Sequence, residues 1–287
     1  MIGYCLSGGG ANGAFEVGVI NQLDKKGIRP AVVLGTSTGG FNSIGVGYQG
    51  LPYLTNEWKS IKGESDVFKS RGLLIPFYLF FGNGKGCYSA APLEAKVNNT
   101  VIGSPRIKTG VCVTSLRTTA SQYMWTEPST SFLTPTNAEV LKMRKYALAS
   151  GMTPVYNDVI DDELVDGGLR NIAPLGELIN QGCDEIYVIL AEQFQQNQAP
   201  NYTGKVGNVL SVAGYTINAM VQGVLWNDVK MVQKINDILD LTTVPTGYKK
   251  IKIHVYAPGK PLGSSTDFTP SRLASIMSYG ETIAPVI

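Results

Sequence analysis

The apolar, β-branched run Ala31-Val32-Val33-Leu34 leads directly into Gly35-Thr36-Ser37-Thr38-Gly39. This order of residues describes a strand that ends in a sharp turn, lifts a serine at its apex and starts a helix behind it. Glycines flank the serine because the turn is strained and the backbones on either side come close. The five-residue pattern is short and recurs by chance. Here two further blocks accompany it: Gly8-Gly9-Gly10 near the start of the chain and Asp166-Gly167-Gly168 far downstream. Taken together they make serine-dependent hydrolysis the leading reading.

Strand-like and helix-like segments alternate along the 287 residues. Residues 2–6 read as a strand and 12–26 as a helix with Ala14, Phe15, Val17, Val19, Ile20 and Leu23 inward. Residues 31–35 form a second strand, followed by a Gly-rich helix through about 48. Residues 108–115 and 122–126 look like a strand pair, and 137–149 like a helix capped by Asn137. Buried strands are expected at 185–191 and 251–256, with a helix over about 206–240 between them. Such alternation predicts a mostly parallel sheet covered on both faces. Neither an internal repeat nor a low-complexity linker appears, so residues 1–287 are expected to form a single domain.

The composition, 44% hydrophobic and 16% charged, supplies a core readily. A net charge of +2 is too small to attract nucleic acid electrostatically. Cys5, Cys87, Cys112 and Cys183 lie far apart in apolar contexts and read as buried thiols in a reducing compartment. One histidine, scattered cysteines and no dense acidic loop leave no ligand set for zinc or calcium, so no metal is expected. Met1-Ile2-Gly3-Tyr4-Cys5-Leu6 enters a strand at once, and no signal peptide is expected. The uncharged stretch Val206 to Asn227 reaches the roughly 20 residues of a bilayer span. Polar residues interrupt it, and its apolar residues recur at helical spacing, so it reads as an amphipathic or buried helix. The expected location is cytoplasmic, including the periphery of a membrane.

Gly8-x-Gly10-x-x-Gly13 follows a strand and opens a helix, as in dinucleotide-binding turns. Those turns need an acid at the end of the second strand, where this chain has Gly35-Thr36-Ser37. No cofactor is therefore expected, and the loop is read as backbone amides aimed at a developing oxyanion. A serine hydroxyl also needs a proton acceptor. His254, in the strand Ile251–Tyr256, stays open as a base, since catalytic partners meet in space and not in sequence. Asp166 is the stronger candidate, an acid at a strand end with Leu164, Val165 and Leu169 around it to raise its basicity by desolvation.

The blocks Ser7-Gly8-Gly9-Gly10-Ala11-Asn12-Gly13, Gly35–Gly39 and Asp166-Gly167-Gly168 resemble the three signature blocks of the patatin-like phospholipase family. The segments Ala149–Tyr156 and Asn171–Leu175 resemble what precedes and follows the Asp-Gly-Gly turn, and the likeness covers about residues 3–190. It implies a three-layer α/β/α sandwich with a mostly parallel central sheet. It also implies a Ser–Asp dyad without histidine: Ser37 as nucleophile, Asp166 as base, and Gly8, Gly9 and Gly10 as oxyanion donors. The implied activity is lipid acyl hydrolysis of the phospholipase A or carboxyl-ester lipase type, on lipid or ester substrate at a membrane or micelle surface. The alternatives are an acyltransferase built on the same dyad and a catalytically silent module that binds lipid or a partner. One position departs from the family pattern. Where a basic residue usually precedes the last glycine of the first block, this chain has Asn12. Finally, Leu73–Phe81 is the most hydrophobic segment; core packing is slightly favoured for it over an interfacial lid.

Overall fold

A computed structural model of the chain describes residues 1–75, 77, 81, 86–129, 136–194, 228–241 and 249–287. Its centre is a seven-stranded sheet. The strands β1 (Ile2–Leu6), β2 (Val32–Thr36), β5 (Lys108–Ser115), β8 (Glu185–Ile189) and β9 (Lys252–Tyr256) run parallel in the order β5-β2-β1-β8-β9. β6 (Ser121–Thr126) adds an antiparallel edge to β5. A separate two-residue ribbon joins β3 (Lys69–Ser70) to β4 (Tyr88–Ser89).

The central strands read as unbroken apolar runs because both faces of the sheet are covered. Along β1, Tyr4 and Leu6 point to one face and Cys5 to the other. The first face carries α1 (Gly13–Lys25), α3 (Leu51–Ser60) and the last helix, α8 (Pro270–Gly280). These helices bury Phe15, Leu23, Trp58, Leu273 and Met277 against Tyr4, Val33 and Ile189. Fully burying one such Phe or Leu is worth about 2–3 kcal/mol. Toward β5 and β6 the same face is covered by α2 (Thr38–Ile44), α4 (Ala91–Thr100) and α5 (Asn137–Ser150), whose Ile44, Val97 and Met143 meet Val111 and Met124. On the second face, α6 (Leu175–Asn180) and α7 (described over 228–241) pack Leu175, Leu178, Val229 and Val232 on Cys5, Leu34 and Val188. The expected mostly parallel sheet flanked by helices is the fold observed.

Register places the site. Leu6 pairs with Gly35 on one side and Ile189 on the other, so β1, β2 and β8 end level with one another. Ser7 and Ser37 therefore leave the same end of the sheet. The short strand β7 (Leu164–Asp166) runs antiparallel to β5. One edge of β5 is occupied by β6, and the other by β2 as far as Cys112, opposite Thr36. β7 takes over that second edge at Val113, opposite Asp166. Thr36 and Asp166 thus face neighbouring residues of β5, and Ser37 meets Asp166 end to end.

Three local expectations change. Helix α5 is capped by Thr136 and not Asn137: Glu139 N–H donates to Thr136 Oγ1 at 3.3 Å and Thr136 N–H donates to Glu139 Oε2 at 2.9 Å. This reciprocal capping box outcompetes a lone Asn cap. The favoured core packing of Leu73–Phe81 fails at Leu73, Leu74, Phe77 and Phe81, which are exposed, while Ile75 is half-buried. They follow β3 in the excursion between the two strands of the ribbon. Pro76, residues 78–80 and residues 82–85 lie outside the described residues, as does the stretch 206–227. β8 also ends at Ile189, two residues short of the expected boundary. All four cysteines are buried and free. Among the described residues no helix is long and apolar enough to cross a membrane.

Candidate active site

Ser37 caps the N-terminus of α2 with φ 53° and ψ −124°, a conformation in which a side chain is strained. The two flanking glycines are steric necessities. A Cβ on Gly35 would lie 2.0 Å from Gly39 O, and one on Gly39 would lie 2.4 Å from Leu6 O. The turn is pinned by Gly39 N–H donating to Ser7 O at 3.0 Å and by Ser37 N–H donating to Ser150 Oγ at 2.8 Å. Ser150 passes the bond on to Cys112 O at 2.6 Å, anchoring the elbow to β5.

The structure brings Ser37 and Asp166 together. Ser37 Oγ donates to Asp166 Oδ2 at 2.8 Å. Ser37 is half-buried and Asp166 buried, so the hydroxyl is reachable while the carboxylate is shielded. The other oxygen, Oδ1, accepts Gly168 N–H at 2.7 Å, and Thr153 Oγ1 lies 3.4 Å from Oδ2. Burial pushes the Asp166 carboxyl up to about 6, against the opposing pull of the bonds from Gly168, Ser37 and Thr153. The group remains ionised at neutral pH and is a stronger base than an ordinary carboxylate.

His254 is not brought to this site. In the row His254–Tyr187–Tyr4–Val33 it lies three strands from β2 and four residues short of Ser37 along the strand. Three strand spacings alone amount to about 14 Å. Its Nε2 is 2.9 Å from Glu185 Oε1, and its ring stacks on Tyr187 at 4.4 Å.

The Gly8–Gly10 loop passes beside Ser37, where a Cβ on Gly8 would lie 3.0 Å from Ser37 Cβ. Its three amides are not equivalent. Gly8 N–H donates to Ile172 O at 3.1 Å, whereas the N–H groups of Gly9 and Gly10 carry no hydrogen bond among the described residues. The amide of Thr38, the first residue of α2, is likewise unengaged among them. The Gly8 amide is thus engaged by the segment that follows the Asp-Gly-Gly turn.

Sequence reasoning missed the polar network behind the loop. Glu16, in the middle of apolar α1, is fully buried. It accepts Ser7 N–H at 2.8 Å and Asn42 Nδ2 at 2.8 Å, and Ser7 Oγ lies 3.2 Å away. Asn42 in turn accepts Trp58 Nε1–H at 2.8 Å. Burial raises the Glu16 carboxyl to about 8, offset in part by the bonds from Asn42 and Ser7. A glutamate between Phe15 and Val17 on a buried helix was the one available signal. Among the described residues no cluster of His, Cys, Asp and Glu could hold a metal ion.

No curated protein is detectably similar to this chain in sequence. The crystal structure of VipD from Legionella pneumophila aligns with 97% of this chain and 65% of VipD, at 12% identity and a TM-score of 0.36. This chain thus spans under two thirds of that structure's length, and so loose a likeness carries no argument. The family model "Patatin-like phospholipase" matches residues 4–179, more than half of the chain, and takes in the glycine loop, the elbow and the Asp-Gly-Gly turn. The chain belongs to the patatin-like phospholipase family.

Proposed function

We propose that this chain is a serine lipid acyl hydrolase that cleaves carboxyl esters through an acyl-enzyme, with Ser37 and Asp166 as its only proton-transferring pair. The 2.8 Å bond between Ser37 Oγ and Asp166 Oδ2 carries this reading. Ser37 Oγ attacks the ester carbonyl carbon as its proton passes to Asp166 Oδ2. The amides of Gly9, Gly10 and Thr38 receive the oxyanion, and Gly8 holds the loop to Ile172. Collapse of the tetrahedral intermediate breaks the ester C–O bond, and Asp166 returns the proton to the departing alcohol. Water then gives a proton to Asp166 and attacks the acyl carbon; the acid leaves and Ser37 recovers its proton.

A lipid surface as the place of action is supported by the exposed Leu73, Leu74, Phe77 and Phe81. That segment is tied to the active site. Arg71 makes a two-pronged pair with Asp158 at 2.8 Å, and Cys87 and Tyr88 amides donate to Val155 O and Tyr156 O, just after Thr153. Fatty acid release from phosphatidylcholine vesicles and hydrolysis of a short soluble ester test the proposal. Ser37→Ala and Asp166→Asn are expected to lose each by about 10⁴-fold or more with unchanged melting, and His254→Ala to keep most of both. Ester turnover that survives Ser37→Ala, or a wild type that binds vesicles without releasing product, contradicts it.

A further inference from the structure

We propose that Arg272 is a positioning residue for the oxyanion loop, holding it from α8 through Asn12. This rests on Ser37 being the nucleophile. Asn12 is fully buried at the base of the loop. Its side chain lies between two ionisable groups: Oδ1 accepts Arg272 Nη2, and Nδ2 donates to Glu192 Oε1 at 3.1 Å. That pair of partners fixes which way the amide faces.

The guanidinium also holds the loop's support. Arg272 Nη2 and Nε donate to Leu262 O at 2.8 and 3.2 Å, and Nη1 donates to Asp267 O. Between those two carbonyls, Ser265 O accepts Ala11 N–H at 2.7 Å, and a Cβ on Gly10 would lie 2.3 Å from it. The loop closes on itself through Asn12 N–H to Gly9 O at 3.1 Å. One side chain thus braces both the turn that presents the Gly9 and Gly10 amides and the segment on which that turn rests.

Two carboxylates share the charge of the guanidinium: Asp267, and Glu192 on the far side of Asn12. The four bonds from Arg272 all go to neutral oxygens. The Asp267 carboxylate is 3.8 Å away and about two-fifths exposed, against 15% exposure for Arg272.

Phosphonylation of Ser37 by a fluorophosphonate and steady-state hydrolysis of a short soluble ester test this in wild type, Arg272→Gln and Arg272→Lys. Wild type is expected to label stoichiometrically at Ser37; absence of that label defeats the nucleophile assignment and this inference with it. With labelling established, Arg272→Gln is expected to lower both the phosphonylation rate and kcat by about 10- to 100-fold, less than direct loss of an oxyanion donor. KM should stay within about twofold, and the midpoint of the acid limb should be unmoved while its plateau falls. Arg272→Lys keeps the charge but not the fork and is expected to fall between the two; it serves alone if the Gln variant fails to fold. Wild-type rates in the folded variants, or a loss carried by KM alone, overturn the proposal.

Discussion

Glu16→Gln gives the sharpest test of the network behind the active-site loop. The carboxyl ordinarily titrates at 4.5 and is held at about 8 in the folded chain, chiefly by desolvation. Between those values the folded state keeps a proton that the unfolded state has released, so stability is greatest at low pH and falls as pH rises toward 8. Asp166, raised to about 6, acts in the same direction but is ionised in both states above that pH. From about pH 6.5 to pH 8 the Glu16 contribution is expected to fall by about 1.5 kcal/mol. The structure also provides for the proton, since Ser7 Oγ lies 3.2 Å from Glu16 Oε1. A glutamine can place its amide there and turn its oxygen toward Asn42, while Ser7 N–H keeps Ile189 O at 3.1 Å. Urea unfolding across that interval is expected to slope downward for wild type and to run level for Glu16→Gln, with the variant the more stable at pH 8. Parallel curves would refute the reasoning.

Three further outcomes are expected. Gly9→Ala sets a Cβ 2.4 Å from Ala191 Cβ and so displaces a loop amide that has no partner among the described residues; kcat for a soluble ester should fall by about 10²–10³ with KM little changed, and an unchanged kcat removes Gly9 from the oxyanion role. Ser150→Ala leaves the half-buried Ser37 N–H without its 2.8 Å partner; denaturant titration should show a loss of about 1–2 kcal/mol, whereas wild-type stability would mean that the elbow does not depend on this bond. Phe77→Ser with Phe81→Ser should leave the melting temperature nearly unchanged, because both rings are exposed. Vesicle turnover should drop while the soluble ester is spared; a large drop in melting temperature with loss of both activities would return these rings to the core.

What the sequence revealed depended on how local the determinants were. β1, β2 and the elbow were legible because a strained turn between a buried strand and a helix admits few residues, and Gly35 and Gly39 are among them. Asp166 was legible as an acid before two glycines, but its meeting with Ser37 depends on β7 replacing β2 along one edge of β5. Such a handover is a non-local pairing with no local pattern. The same holds for Ser150, Thr153 and Ile172, whose roles come from what they face. Helices α3, α4 and α8 went unread, and with them the reach of Arg272 to Asn12 across 260 positions. Leu73–Phe81 misled because apolar content alone does not say whether a sheet face is present to receive it.

The central claim is that Asp166, without histidine, takes the proton from Ser37. The pH dependence of kcat/KM for a soluble ester, in wild type and His254→Ala, tests it most directly. Asp166 must be ionised to accept the proton, so activity should rise with pH along one limb centred near 6 and then level off. Superimposable limbs are expected for the two proteins, with no measurable limb for Asp166→Asn. A limb that shifts or disappears in folded His254→Ala would contradict it and make histidine the base.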